Sequence, residues 1–245
     1  MPETVIIAAL KQEMMPLLCD PIFSWKENPR LHALNGAWET DRAAVVCGGI
    51  GANAAARATE DAIREYHPAR VISAGLAGAL VPGLHVGDIL RPSTVVNSST
   101  GERYQIPGGE GVLVTASEVA GEHGKRLLAR HFHADSADME AASVAAVALK
   151  HGVPFAIVKS ISDEYDFDMP DLNAFITSDG RFQTARFSAY LIAHPRLWPL
   201  VRQLARNSKA ASVQLCRELR NLILQDTTTN DCETAGRPRE SQPAR

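Results

Sequence analysis

The chain has 245 residues, of which 45% are apolar and 22% charged, and a formal net charge of −3. That is enough chain for one large α/β domain with a sizeable core, and too little charge of either sign to suggest a nucleic-acid partner. Four scattered cysteines, Cys19, Cys47, Cys216 and Cys232, show no metal-ligand spacing and read as reduced thiols of a cytoplasmic protein.

The opening "MPETVIIAALKQEMM" has no basic stretch, and its apolar run is too short for a signal peptide. No segment reaches the ~18 apolar residues of a membrane span. Thr4–Ala9 is predicted to be a buried strand, followed by a helix over Gln12–Leu18 with Glu13 in its first turn. The helix dipole alone favours an acid there. A second strand, Ala43–Gly48, runs into "GGIGANAAARA" and a helix over Ala52–Tyr66. Glycines at such a turn let backbone N–H groups approach a ligand. Ala54 holds the third place of GxGxxG, so a dinucleotide fingerprint is incomplete and a tight βα turn accounts equally well for the glycines.

Further strands are predicted over Arg70–Gly75, Asp88–Val96, Gly111–Ala116, Ala134–Asp138 and Pro154–Ile161. Helices are predicted over Glu122–Arg130, Glu140–Lys150, Thr184–Ile192 and Leu197–Leu224. The polar residues Asp226–Arg245 read as a disordered tail. The alternation implies one domain, residues 1–225, built as a three-layer α/β/α sandwich around a central mixed sheet, with extra C-terminal helices over about 184–225.

In such folds function collects at the carboxyl ends of the strands. Those ends carry Glu13, the glycine turn with Ile50, Gly75 and Gly78, Met139 with Glu140, and Ser162 with Asp163. The acids Asp163, Asp166 and Asp168 also raise a metal site, but the stretch lacks the glycine of a calcium loop and is interrupted by Tyr165 and Phe167. Catalysis is the stronger reading, and no metal is expected. The last helix sets Leu197, Leu200, Leu204, Leu215 and Leu219 among Arg196, Arg202, Arg206, Arg217 and Arg220. It reads first as a cover for the core or a subunit interface, and second as a peripheral membrane contact.

Taken together, Glu13, "GGIGANAAA", "SAGLAGALVPGLHVGDI", "DMEAASVA" and "VPFAIVKSISD" resemble the nucleoside phosphorylase/nucleosidase superfamily, above all its methylthioadenosine/S-adenosylhomocysteine nucleosidases. The likeness spans about residues 3 to 168. "SAGLAG", "GERY" and the region from "MPDLNAFITSDGRF" onward also resemble the hopanoid-associated phosphorylases, which are thought to remove adenine from adenosylhopane.

The resemblance implies a nucleoside phosphorylase-like fold, cleavage of an N-glycosidic bond, no cofactor, a small nucleoside substrate and a homodimer. Asp163 is expected to share a proton with purine N7, which requires surroundings that favour its protonated form. Glu13 is expected to be the base that polarises water. Glu140 is expected to hold the ribose hydroxyls, with two acceptor oxygens for a diol, and Met139 to pack on the sugar. Ser162 and the backbone at Val119 and Ala120 are expected at the purine, Ile50 near the 5′ group, and Gly75 at the site. Phosphorylases of the superfamily carry an Arg and a Ser around the strand-three glycine. Ser73 and Leu76 stand there, which favours water over phosphate, with Arg42, Arg91 and Arg103 as candidate substitutes. The alternatives are a housekeeping nucleosidase of methionine salvage, a phosphate-dependent purine nucleoside phosphorylase, and a non-catalytic nucleoside-binding protein.

Overall fold

The structure is a computed structural model that describes residues 2–31, 35–167 and 169–234. In chain order its elements are β1 (Thr4–Ala8), α1 (Lys11–Leu18), β2 (Lys26–Glu27), β3 (Ala37–Glu39), β4 (Ala43–Cys47), α2 (Ala52–Tyr66), β5 (Arg70–Ala79), β6 (Ile89–Leu90), β7 (Thr94–Asn97) and β8 (Arg103–Gln105). Then follow β9 (Val112–Thr115), α3 (Glu122–Phe132), β10 (Ser136–Asp138), α4 (Ala141–Lys150), β11 (Phe155–Asp163), α5 (Thr184–Ala193) and α6 (Trp198–Thr234).

The strands form one mixed sheet in the order β2-β3-β4-β1-β5-β10-β9-β7-β8, with β11 alongside β5 and β6. β5 is its centre. β11 runs parallel along it from Phe155 opposite Val71 to Asp163 opposite Gly78. β1 pairs with the start of β5 and β10 with its end. Alternation along the strands divides the core. Ile6, Val45 and Ile72 pack with Met14 and Leu17 of α1 and with Leu215 and Leu219 of α6. Val5, Ile7, Ala44 and Val71 pack on the other face with Ala58 and Ala62 of α2 and Val144 and Ala148 of α4. Both faces of these strands are covered, which is why they are continuously apolar.

Several boundaries differ from expectation. β5 and β11 continue to Ala79 and Asp163, so Ser162 and Asp163 lie within the strand rather than after it. The expected strand Asp88–Val96 breaks into β6 and β7 around Pro92, which has no N–H to give to a ladder. The short strands β2, β3 and β8 carry too few residues for a periodic signal. α6 runs on to Thr234, past the expected end of helix before Asp226, and residues 235–245 lie outside the described residues. From Ala211 onward the apolar stripe of α6 is core: Ala211, Leu215 and Leu219 are fully buried, so this part is a cover for the sheet and not a membrane face. Among the described residues no helix is long and apolar enough to cross a membrane.

Candidate active site

The carboxyl ends of β1, β5, β10 and β11 open on one cavity of about 350 Å³, a size suited to a small-molecule ligand. Glu13, Ile50, Val119, Ala120, Met139, Glu140, Ser162 and Asp163 all line it. Gly75 does not reach the lining. A Cβ on Gly75 would lie 3.3 Å from Lys159 Nζ and 3.6 Å from Glu13 Oε2, so this glycine leaves room for those two groups.

At one end the charges are acidic and dense. Asp138 closes β10, and its carboxylate accepts from Thr115 Oγ1 at 2.7 Å and from the Ala141 N–H at 2.8 Å, which caps α4. Asp138 thus takes the first N–H of α4, and the carboxylate of Glu140, at the N-cap position, is left to the cavity. Glu140 Oε1 accepts from the Gly51 N–H at 2.8 Å and Oε2 from the Met139 N–H at 3.3 Å. Lys159, buried in the middle of β11, pairs with Asp138 Oδ2 at 2.8 Å. Burial opposes its charge, but Asp138, Glu140 and Glu13 more than offset that and hold its pKa above the ordinary lysine value.

Glu13 is half-buried in the first turn of α1, and its Oε2 is shielded from solvent with no hydrogen-bond partner. Burial, and then the charge of Glu140, push its pKa up to about 7, against the attraction of Lys159. Burial and the Asp138 charge likewise raise Glu140 above the ordinary carboxylate range. Glu13, in the lining of the cavity, is therefore a carboxyl poised between its two protonation states at neutral pH.

At the other end stands Asp163. A β-bulge after Ile161 sets Asp163 opposite Gly78, and a Cβ on Gly78 would come within 2.8 Å of Asp163 Oδ2. Ser162 Oγ donates to Asp163 Oδ1 at 2.7 Å. Lys125 Nζ lies 2.5 Å from Oδ2 and also donates to the Glu164 carbonyl at 2.6 Å. Lys125 is the fully buried residue of α3, whose Leu128, Ala129 and Phe132 pack half-buried against Val96 and Val114. The expectation is surroundings that favour the protonated form of Asp163, and the actual neighbour is a buried cation, which favours the ionised form. Glu164 contributes its carbonyl to that cation, Asp166 is exposed, and Asp168 lies outside the described residues.

The glycine turn is not a free nest. The N–H groups of Gly48 and Gly49 bond to Ala8 and Ala9, that of Ile50 to Gly180, and that of Gly51 to Glu140. Arg91 is paired with Glu218, Arg103 donates to the Phe132 carbonyl at 3.1 Å, and neither lines the cavity. Lys125 and Lys159 are residues that sequence reasoning missed. A lysine inside the apolar run "FAIVKSIS" was a usable signal for Lys159, because a buried lysine requires a partner. Lys125 sits in "EHGKRLLARHF", which looks like any solvated helix face.

The chain is 29% identical over 168 residues to the 5′-methylthioadenosine/S-adenosylhomocysteine nucleosidase of Shewanella oneidensis, covering 54% of this chain and 71% of that protein. It is 26% identical over 214 residues to the nucleosidase of the same name from Shewanella frigidimarina, covering 71% and 92%. In fold it is similar to the Helicobacter pylori 5′-methylthioadenosine/S-adenosylhomocysteine nucleosidase crystallised with butyl-thio-DADMe-Immucillin-A, with a TM-score of 0.68, 20% identity, and coverage of 92% of this chain and 99% of that one. The futalosine hydrolase of Helicobacter pylori superposes with a TM-score of 0.66 at 19% identity, covering 92% and 98%. The phosphorylase superfamily matches residues 3–118 and 105–193, which hold every acid of the site, and the chain belongs to that superfamily.

Proposed function

We propose that the protein is a nucleosidase that hydrolyses the N-glycosidic bond of a 5′-substituted adenosine and releases adenine. The observation that carries this reading is the convergence of Glu13, Glu140 and Asp163 from three separate strand ends on one cavity. Cleavage develops positive charge on the ribose and negative charge on the departing base, the same demand as in glycoside hydrolysis. Glu13 takes a proton from water as the water oxygen bonds to C1′. The C1′–N9 bond breaks, its electron pair passes to the base, and the Lys125–Asp163 pair delivers a proton to the base: Asp163 hands it on as it takes one from Lys125 across their 2.5 Å contact. Glu140, fixed by two backbone N–H groups, accepts from the ribose hydroxyls.

Water is the better nucleophile on electrostatic grounds. A phosphate ion would meet Glu13 and Glu140, while the N–H groups of the glycine turn are spent and Lys159 is committed to Asp138. The 5′ end of the substrate is apolar in this reading. Ile50, Met169, Leu172, Ile176, Phe182 and Leu204 make up an apolar side of the cavity, supplied largely by residues after β11. This supports a nucleoside with a bulky apolar 5′ group, and adenosylhopane is the candidate that the likeness to hopanoid-associated phosphorylases suggests. The second reading, a methylthioadenosine/S-adenosylhomocysteine nucleosidase, is supported by the Shewanella relatives.

A series of 5′-alkylthioadenosines from methyl to octyl, assayed for adenine release, separates the two. The proposed reading expects kcat/KM to rise with chain length, with activity abolished in Asp163→Asn. A maximum at the methyl compound would favour the second reading, and release of adenine from none of them would overturn both.

A further inference from the structure

The edge of the cavity at Val119 is already occupied by the protein itself. Val119 lies between β9 and α3. Its N–H donates to Asn173 Oδ1 at 2.8 Å, and its carbonyl accepts from Asn173 Nδ2 at 3.1 Å. The two bonds saturate the side-chain edge of Asn173 and both polar main-chain groups of Val119 that face it.

A carboxamide presents an acceptor and a donor side by side. The N1/N6 edge of a 6-aminopurine presents the same pair, a ring nitrogen that accepts and an amino group that donates. The Val119 main chain lines the same cavity as Asp163 and Ser162, and it can serve only one such edge at a time. Asn173 stands in a short 3-10 turn, Asn173–Phe175, within the segment that also brings Met169, Leu172, Ile176 and Phe182 to the cavity. That segment is tied to the rest of the domain at its far end, where the Gly180 carbonyl accepts from the Ile50 N–H at 2.8 Å and the Asp179 carbonyl from Arg57 at 3.4 Å. Its other backbone bonds, such as Gln183 N–H to the Phe175 carbonyl, are internal. A segment held this way can shift its Asn173 end without unfolding the sheet.

We infer that Asn173 is an internal surrogate for the base: its carboxamide holds the Val119 edge and is displaced by the amino-purine edge of the substrate, which shifts the Asn173 end of the 169–182 segment while the Asp179–Gly180 end stays tied. This rests on the adenosine reading given above. Asn173 is thus a specificity residue that acts by competition, because only a ligand able to replace both of its hydrogen bonds recovers what the displacement costs.

The test is adenine binding by calorimetry to the full chain and to Asn173→Ala and Asn173→Asp. Removing the competitor is expected to tighten adenine about tenfold in the alanine variant, the equivalent of one to two ordinary hydrogen bonds. The aspartate variant, which keeps an acceptor for the Val119 N–H but sets an oxygen against its carbonyl, is expected to tighten adenine as well. It also covers the case in which the alanine variant does not fold. Adenine binding that is equal or weaker in the folded variants, with the wild type binding, would overturn the surrogate and leave the adenosine reading standing. Adenine binding by none of the three proteins would overturn both.

Discussion

At the scale of single residues, the site combines an expensive carboxyl with a guarded one. Glu13 holds a buried oxygen without a hydrogen-bond partner, and its pKa of about 7 lies above the 4.5 of an ordinary glutamate. The folded protein therefore holds this proton more tightly than the unfolded chain does. Stability contributed by the neutral form is fully present below pH 4.5 and is lost as pH rises through about 7. Glu13→Gln should accordingly be more stable than the wild type at pH 8, by on the order of 3 kcal/mol, with the gain vanishing toward pH 4.5 in urea titrations. The same substitution should abolish turnover, and wild-type activity should rise with pH through about 7 as Glu13 ionises. Asp163 depends on a different device, the absence of a side chain opposite it. Gly78→Ala places a methyl within 2.8 Å of Asp163 Oδ2 and should lower kcat about 100-fold, with the circular dichroism spectrum unchanged.

The residues themselves show what was legible and what was not. Glu13 and Asp163 could be found because each comes soon after an apolar run, and an acid at a strand end stands out against it; Glu140, after the polar "HADSADM", stood out only through the resemblance carried by "DMEAASVA". Lys125 and Asn173 could not, since a lysine on a short amphipathic helix and an asparagine in a loop are the commonest of surface residues. Only the folding of α3 and of the segment after β11 over the sheet turns them inward.

At the scale of elements, β5 and β11 were recognised as strands but expected too short. Each carries its functional end beyond its apolar run, in "GLAGA" and "SD", where small and polar residues give no periodic signal. The tertiary pairing of Ser160, Ile161 and Asp163 with Leu76, Ala77 and Gly78 supplies what local propensity lacks. The cavity's apolar side belongs to elements after β11. Phe182→Ser should therefore raise KM for 5′-octylthioadenosine severalfold while changing that for 5′-methylthioadenosine less than twofold. Equal effects on both substrates would assign Phe182 to general packing.

At the scale of the whole molecule, the sheet places acids from its strands at one mouth, and α6 ties that mouth to the core. Leu215 and Leu219 are fully buried against Met14 and Leu17 of α1, the helix that carries Glu13. Leu219→Ala should cost about 2–5 kcal/mol and lower Tm by roughly 5–15 °C in a thermal scan. The covering role of α6 was legible from its apolar spacing, whereas its continuation through a polar segment to Thr234 was not. In the proposed reaction water is the nucleophile. The most direct measurement is adenine release from 5′-methylthioadenosine in buffer freed of phosphate, repeated with phosphate added. With water as the nucleophile, release is expected in both, at the same rate, with free 5-methylthioribose as the second product. Release that requires phosphate and yields the sugar 1-phosphate would contradict it.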